Sequence, residues 1–360
     1  MFIDDAYAHL ETLCLQGAGL SSPNPNVAAA IYSPAGELIA DGFHNRRLSL
    51  DHAEVVAIKQ AGSLAKGATI VVSLEPCAHT GSTPPCSEAI ISAGIQKVIY
   101  AVEDPNPVAA CGAEQLRNAG IEVEFHFSEP LEFSQRAWLH KIKAKRPLMI
   151  WKVAITADGK IAASDGTSQW ITNEESRADV QTLRAHSDAI LIGTNTAIVD
   201  NPHLIPRGFT NRPTRIVFGA QEVPSVNKIF DNEAKTIHVK SKVIPELFDR
   251  LTDESFNQVL VEAGPTLGTA LLSAGAIDEL IIYQTPKSQL FKIVKKEDSH
   301  KVIVQQINSL SDHTPAFPNK GPIKMFLNTI KKDRIILFNP YTTPSSESIF
   351  SKLFPFNLIS

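Results

Sequence analysis

The feature that most constrains this chain is a set of three potential metal ligands in separate segments, His52, Cys77 and Cys86. If one metal ion is held by all three side chains, the fold must bring these segments to a single point. One imidazole and two thiolates form a donor set typical of zinc. Three protein ligands leave the fourth zinc position open for water, which is the arrangement of catalytic rather than structural zinc sites.

Glu54 gives this ligand set a chemical interpretation. It lies two residues after His52, near the start of a predicted helix, where its carboxylate can reach a metal-bound water. The pattern H-x-E, followed by two Pro-Cys pairs, matches the signature of zinc deaminases, in which the glutamate moves protons and does not bind the metal. A structural zinc site stays open as an alternative, although it would want a fourth ligand and would give Glu54 no role.

Composition limits the class of protein. A chain of 360 residues is longer than a domain with a single hydrophobic core usually is, so two domains are expected. The net charge of −4 argues against a polyanion as the main partner. The sequence contains no run of eighteen apolar residues, so no membrane span is predicted. The N-terminus lacks the basic and apolar regions of a secretory signal. We therefore expect a cytoplasmic protein with reduced thiols, in which Cys14 and Cys111 are small buried residues.

Alternating helices and strands predict two layered α/β sheets. In the first half the patterns predict helices over 4–16, 52–62, 86–93 and 112–119, and strands over 27–32, 37–42, 68–74 and 97–102, the first two forming a hairpin. In the second half they predict a helix over 174–185 and strands over 148–155, 189–192, 215–218, 236–239, 258–261 and 277–283. A basic stretch ending in proline, 141–147, is the expected hinge, which divides the chain into domains 1–145 and 146–360.

The spacing of the cysteines narrows the class further. Deaminases that act on nucleic acids or free nucleosides generally have C-x-x-C, whereas eight residues separate Cys77 from Cys86. LEPCAHTGSTPPC, together with SPNPNV at 22–27 and EDPNP at 103–107, resembles the bifunctional diaminohydroxyphosphoribosylaminopyrimidine deaminase/5-amino-6-(5-phosphoribosylamino)uracil reductase family of riboflavin biosynthesis. The resemblance implies a cytidine-deaminase-like three-layer α/β/α domain that acts on a small phosphorylated pyrimidine nucleotide.

Carried over residue by residue, the resemblance assigns His52, Cys77 and Cys86 to zinc and makes Glu54 catalytic. It implies that Asn24 holds the edge of the base and that His44 and His79 line the substrate pocket. Asn24 between two prolines is also a common turn former, and this alternative stays open. At Ser82 the family usually has a basic residue that would meet the substrate phosphate.

The second half resembles the reductase part of the same family. The matching stretches are KVAITADGKIA (152–162), GTSQWIT (166–172), LRAHSDAILIG (183–193), DNPHL (200–204) and VEAGPTLGTALL (261–272). They imply a dihydrofolate-reductase-like α/β domain in which NADPH reduces the ribosyl group to a ribityl chain. The implied substrate contacts are Lys152, Ser168, Arg184, Leu204, Arg207 and Glu262. The implied NADPH contacts are Ala154, Trp170, Thr196, Asp200, Gly264, Pro265, Thr266, Leu267, Gly268, Thr269 and Ala270.

Beyond about residue 287 the resemblance ends, so the last strand that the family implies could be missing or replaced, and the end, 342–360, looks loosely organised. A deaminase with a degenerate reductase domain is therefore an alternative, as are a nucleic-acid-editing deaminase and a zinc-stabilised scaffold. The partners expected are zinc, NADPH and the nucleotide substrate, without nucleic acid or membrane. The family further implies a homo-oligomer.

Overall fold

The structure, a computed structural model, describes residues 2–106, 111–155, 174–284, 325–326 and 334–338. The chain divides into two compact units, one formed by residues 1–147 with 255–257 and the other by 148–254 with 258–360. In the part of the chain that the structure describes, no helix is both long enough and apolar enough to cross a bilayer. Two of the site residues predicted above, Ser168 and Trp170, lie outside these ranges.

The first unit contains five strands and six helices among its described residues. In chain order they are α1 (Ile3–Gly17), β1 (Ala28–Tyr32), β2 (Leu38–Phe43), α2 (Ala53–Ala61), β3 (Thr69–Val72), α3 (Cys86–Ala93), β4 (Lys97–Tyr100), α4 (Gly112–Asn118), β5 (Glu122–Phe125), α5 (Glu129–Ser134) and α6 (Arg136–Ala144). The hairpin of β1 and β2 is antiparallel, as predicted.

These strands form one mixed sheet in the order β2-β1-β3-β4-β5. β3, β4 and β5 run parallel, and β1 runs antiparallel to both its neighbours. All five residues of β1 are buried, as expected for a central strand covered on both faces. The helices form two groups, since α2 packs on α3 and α3 on α4, whereas α1 packs on α5 and α5 on α6. This α/β fold confirms the predicted class.

The second unit contains eight strands and four helices among its described residues. They are β6 (Leu148–Ile155), α7 (Glu174–Ala185), β7 (Ala189–Gly193), α8 (Thr194–Val199), β8 (Thr214–Phe218), β9 (Thr236–Val239), α9 (Ile244–Asp253), β10 (Gln258–Val261), α10 (Pro265–Ser273), β11 (Glu279–Gln284), β12 (Met325–Phe326) and β13 (Arg334–Phe338). The sheet order is β12-β13-β11-β6-β10-β7-β8-β9.

Six strands of this sheet, from β11 through β9, run parallel, so their carboxyl ends meet at one edge. In parallel α/β sheets this is the edge at which ligands bind. β13 pairs antiparallel with β11 over five residue pairs, and β12 pairs with β13. A strand that returns to the sheet after about residue 287, which the sequence left in doubt, is therefore present, whereas the end that looked loosely organised, 342–360, lies outside the described residues.

Two further expectations need correction. Cys111 is exposed rather than buried, and its φ of 82° places it in the left-handed region just before α4. The expected hinge over 141–147 is helical up to Ala144, because α6 is amphipathic: Trp138 is buried in the core, and Leu139 and Ile142 pack against it. Basic residues on the outer face of α6 hid this pattern. The sequence patterns also missed β5, α5, α8, α9 and α10.

Candidate active sites

Three chain segments bring the predicted zinc ligands together. His52 precedes the first residue of α2, Cys86 is the first residue of α3, and Cys77 lies in the loop after β3. His52 Nδ1 lies 3.2 Å from Cys86 Sγ and 3.7 Å from Cys77 Sγ. Tetrahedral zinc with Zn–S of about 2.3 Å and Zn–N of about 2.0 Å separates such ligand atoms by about 3.5 Å. The three side chains therefore fit a zinc ion.

The charges of the two thiols support the same conclusion. The hydrogen bond with Cys86, followed by that with His52, holds the pKa of the Cys77 thiol well below its ordinary value. The same bond to Cys77, together with burial, raises the pKa of Cys86. Without a metal, the pair therefore favours a single negative charge. A divalent cation stabilises both thiolates at once, so this donor set matches a metal better than it matches free thiols.

Hydrogen bonds at the start of α3 fix the loop that carries Cys77. The backbone N–H of Cys86 donates to Cys77 Sγ at 3.4 Å, and the N–H of Ser87 donates to the Cys77 carbonyl at 3.2 Å. Both cysteines therefore lie at the positive N-terminal end of one helix, where a thiolate is favoured.

Glu54 is 3% exposed, and its Oε2 is buried without a hydrogen-bond partner among the described residues. Burial raises the pKa of this carboxyl. An unpartnered carboxylate oxygen two residues from a zinc ligand is costly unless a water or a substrate occupies the space beside it. The position of Glu54 thus fits a group that accepts and returns a proton.

A cavity of about 290 Å³ opens next to this site within the first unit. Asn24, His52, Glu54, Cys77 and His79 all lie on its wall. Asn24 and His79 therefore have the placement that the resemblance implies, and the substrate contacts themselves stay predictions.

His44 lies elsewhere than expected. It is 2% exposed and is not among the residues that line the cavity, so the expectation that it lines the pocket needs correction. Its Nδ1 lies 2.8 Å from the Asp51 carbonyl and its Nε2 lies 3.1 Å from Asn24 Nδ2. Burial lowers the pKa of His44, and a carbonyl can only accept, so Nδ1 carries the proton and Nε2 accepts from Asn24. His44 thus fixes the orientation of the Asn24 amide from behind.

In the second unit the predicted substrate residues Lys152, Arg184 and Glu262 form one cluster. Glu262 directly follows β10, and its carboxylate accepts hydrogen bonds from Arg184 Nε at 2.6 Å and Nη2 at 2.9 Å. Lys152 Nζ lies 3.3 Å from Glu262 Oε2. Burial alone would raise the pKa of Glu262, but Arg184 and Lys152 outweigh it and lower the pKa to about 2. The cluster is a built, charged site at the carboxyl edge of the sheet.

The predicted cofactor segment 264–270 opens α10 at the same edge. Gly264 precedes the helix, and a Cβ there would meet nothing within 4 Å, so its backbone is open to a ligand. Thr269 Oγ1 is buried without a hydrogen-bond partner in the described part of the chain. Gly268 has another reason to be glycine: a Cβ there would lie 2.0 Å from the Trp151 ring. These observations fit a cofactor at the start of α10 while assigning Gly268 to packing.

The other predicted reductase residues are less closely gathered. Ala154 lies near the carboxyl end of β6, and Thr196 lies in α8, directly after β7. Asp200 and Arg207 are exposed in the loop after α8, whereas Leu204 is buried there with a φ of 59°. Ser168 and Trp170 lie outside the described residues. The structure therefore places Ala154 and Thr196 at the edge. Within the described ranges, no contact joins Asp200 or Arg207 to the cluster.

Comparison with known proteins accounts for both units. Residues 3–102 match the model of the cytidine and deoxycytidylate deaminase zinc-binding region, and residues 147–288 match that of the RibD C-terminal domain. The riboflavin biosynthesis protein RibD of Mycobacterium tuberculosis is 40% identical over 295 residues, covering 79% of this chain and 85% of that protein. RibD of Escherichia coli is 37% identical over 314 residues, covering 76% and 85%. The chain belongs to the RibD family.

Solved RibD structures share the fold over most of the chain. Acinetobacter baumannii RibD superposes with a TM-score of 0.74 at 32% identity, covering 92% of this chain and 97% of the other. The diaminohydroxyphosphoribosylaminopyrimidine deaminase/5-amino-6-(5-phosphoribosylamino)uracil reductase of Thermotoga maritima gives a TM-score of 0.76 at 29% identity, covering 92% and 96%. The family predicted from the motifs, and with it the zinc-binding deaminase and RibD reductase domains, is thereby confirmed.

The structure also shows cavity residues to which the motifs gave no individual role. Asp104 and Asn106 line the cavity, and burial raises the pKa of Asp104 to about 6. Glu75 holds their loop, because its carboxylate accepts from the N–H groups of Ala113 at 3.1 Å and Asp104 at 3.5 Å. The EDPNP motif was the available signal for the first two. Arg46 also lines the cavity, and no motif marked it.

The position of the loop that carries Cys77 depends on a glycine in α4. A Cβ at Gly112 would lie 1.7 Å from the Pro76 carbonyl oxygen, next to Cys77. We expect Gly112→Ala to push this loop away, weakening zinc binding about tenfold or more and destabilising the protein by about 1–3 kcal/mol. Zinc content after dialysis and thermal unfolding measure both effects. Gly264→Ala, at a glycine with open space, is the control; equal zinc retention in both variants would contradict the prediction.

Proposed function

We propose that this chain catalyses two consecutive steps of riboflavin biosynthesis. Residues 1–145 would deaminate 2,5-diamino-6-(5-phosphoribosylamino)pyrimidin-4(3H)-one by hydrolysis, and residues 146–360 would reduce the ribosyl group of the product to a ribityl chain with NADPH. The observation that carries the proposal is the buried Glu54 carboxylate, with an unpartnered oxygen beside a His–Cys–Cys ligand set, in a chain related to RibD proteins along most of its length.

The chemistry of the first half follows from the cavity. His52, Cys77 and Cys86 would hold the zinc, which would lower the pKa of its water from about 15.7 towards about 7. Glu54 would take one proton from the attacking water and pass it to the ring nitrogen, and it would then carry the remaining hydroxyl proton to the leaving amine, so that a carbon–oxygen double bond replaces the carbon–nitrogen bond and ammonia departs. Asn24, oriented by His44, donates and accepts hydrogen bonds at the edge of the base. His79 lies on the same wall.

In the second half the charged cluster would orient the sugar. NADPH, when bound, supplies the hydride that converts the ribosyl C1 to a ribityl CH₂. Glu262 pairs with both Arg184 and Lys152. Lys152 would protonate the sugar oxygen as the ring opens. Two N–H groups of Arg184 are engaged by Glu262, so its remaining donors are those offered to a substrate phosphate. The α10 start and Thr196 would contact the cofactor.

The alternative of a degenerate reductase is weakened by the sheet. β13 pairs with β11 along five residue pairs, so the chain after about residue 287 does return a strand to the sheet. The match to the RibD C-terminal domain covers residues 147–288 and includes the whole charged cluster. Both observations support a working second half.

Ammonia release provides the test of function. The zinc-loaded full-length protein is given the diaminopyrimidine nucleotide or single-stranded DNA and RNA, and ammonia is measured; NADPH is then added and its absorbance followed. We expect ammonia only from the nucleotide and NADPH oxidation only after deamination. Ammonia released from nucleic acid would favour a nucleic-acid-editing deaminase. Ammonia from the nucleotide without NADPH oxidation would indicate a deaminase with a degenerate reductase domain. If no substrate released ammonia, the zinc-stabilised scaffold would be favoured.

Arg184 offers a separate prediction for the reductase. A phosphate anchor contributes the same binding in the ground and transition states, so Arg184→Ala should raise the reductase KM by about tenfold or more and change kcat less. Steady-state NADPH oxidation at varied deaminated substrate measures this, and deamination should be unchanged. Arg177→Ala, in the same helix α7, is the matched control. An unchanged KM in Arg184→Ala, with lowered thermal stability, would leave Arg184 only as the partner of Glu262.

A further inference from the structure

We propose that Arg46 binds the phosphate of the substrate in the deaminase cavity. The inference rests on the proposed deamination of a phosphorylated nucleotide and names the residue that recognises its phosphate. Arg46 belongs to the segment between β2 and α2, and it lies on the cavity wall with His52 and Glu54.

The backbone around Arg46 is fixed, so its side chain emerges from a defined position. The N–H of Arg46 donates to the Leu20 carbonyl at 3.0 Å. The Asn45 carbonyl accepts from the N–H groups of Leu48 at 3.0 Å and Ser49 at 3.1 Å, and Asn45 Oδ1 accepts from the N–H of Arg47 at 3.1 Å. This turn carries Arg46 on the side of the cavity.

No acidic side chain in the described part of the chain pairs with Arg46. Among the described residues, none forms an ion pair or a side-chain hydrogen bond with its guanidinium, although the residue is half-buried. The nearby Asp51 pairs instead with Lys59 at 2.6 Å. A half-buried guanidinium normally finds an anionic or carbonyl partner, because its five donors are costly to leave unused. The open side of Arg46 is the cavity, so the expected partner is a ligand.

The remaining charges of the cavity make that ligand an anion. Arg46 is the one arginine or lysine among the described residues that line the cavity, which also contains the carboxyl groups of Glu54, Glu75 and Asp104. A phosphate brought into such surroundings is repelled unless a cation receives it. Guanidinium binds phosphate through two parallel hydrogen bonds and stays charged at every working pH. Ser82 and Thr83, on the same wall, add only neutral hydroxyls.

The test compares two substrates and three variants of the full-length, zinc-loaded protein. Deamination is measured with the nucleotide and with the same compound after phosphatase treatment. Arg46→Gln should raise KM for the phosphorylated substrate about 10- to 100-fold, with kcat changed less than about threefold and KM for the dephosphorylated substrate unchanged. Arg46→Lys should recover part of the loss, because it restores the charge but not the bidentate geometry. Arg47→Gln, which removes an exposed neighbouring charge outside the cavity wall, should behave as wild type.

The outcomes separate this proposal from the proposed function. Wild-type protein that releases no ammonia from either substrate contradicts the function itself. If the wild type is active and Arg46→Gln keeps the same preference for the phosphorylated substrate, the role of Arg46 is overturned. An equal rise in KM in Arg47→Gln also overturns it, because it would indicate that the positive charge of the loop attracts the substrate in general. Zinc content is measured for each variant. If Arg46→Gln loses zinc, the KM values of Arg46→Lys and wild type for the phosphorylated substrate are compared instead, and equal values would overturn the role of Arg46.

Discussion

Replacing Glu54 with glutamine should leave zinc in place and reduce deamination by several orders of magnitude. The amide has nearly the same shape, so it fits the buried space beside His52. It cannot accept the proton of the attacking water, and general acid–base catalysis of this kind contributes about 10²- to 10⁴-fold. Single-turnover ammonia release, together with metal analysis of the same sample, measures activity and zinc content independently.

A suitable control for this variant is Glu88→Gln. Glu88 is also an acid in the first turn of a helix at the site, but it is exposed on α3 and does not line the cavity. We expect wild-type activity from it. Deamination by Glu54→Gln within tenfold of wild type, with full zinc content, would show that another group moves the proton.

Removal of one thiolate should empty the zinc site. The purified protein should contain about one zinc per chain, and Cys86→Ala should retain little of it after dialysis, because two ligands and an open helix end bind zinc far more weakly than three. Deamination should disappear with the metal. Thermal unfolding should shift downward, since zinc that binds only the folded state contributes to its stability. Plasma emission spectroscopy and calorimetry provide these measurements.

Cys14→Ala is the matched control for the loss of a buried thiol. Cys14 lies in α1, where its sulfur donates to the Asn26 carbonyl at 3.7 Å, away from the three ligands. This variant should keep its zinc. Full zinc retention in Cys86→Ala would remove Cys86 from the site and return the structural zinc alternative to consideration.

The identity of the site chemistry was readable from short motifs because its residues lie in rigid local contexts. His52 and Glu54 are two residues apart at the start of α2, which fixes their relative positions. Cys86 is fixed in the same way as the first residue of α3. The same locality explains the well-predicted elements, such as β9 and α3, whose bounds agree with the expectation residue for residue.

Whether the chain forms a homo-oligomer stays a prediction.

What the motifs left out depends on partners distant in sequence. Arg46 reaches the cavity through a loop that no pattern marks, and His44 appeared to be a pocket residue until its two hydrogen bonds placed it behind Asn24. Likewise, Glu262, Arg184 and Lys152 were predicted as separate substrate contacts, whereas the structure joins them in one ion cluster. Sequence spacing carries no information on which of several polar groups take each other as partners.

The sequence by itself determined the family and most of the regular elements, and it predicted the zinc ligands and the general base, because each depends on residue chemistry or on periodicity within a few turns of chain. The tertiary structure alone decided which residues face the cavity, and it decided that Gly112 and Gly268 are needed for close packing. It also decided that β13 completes the second sheet beside β11. These outcomes rest on contacts across many residues, where the free energy comes from packing and charge pairing that no local pattern records.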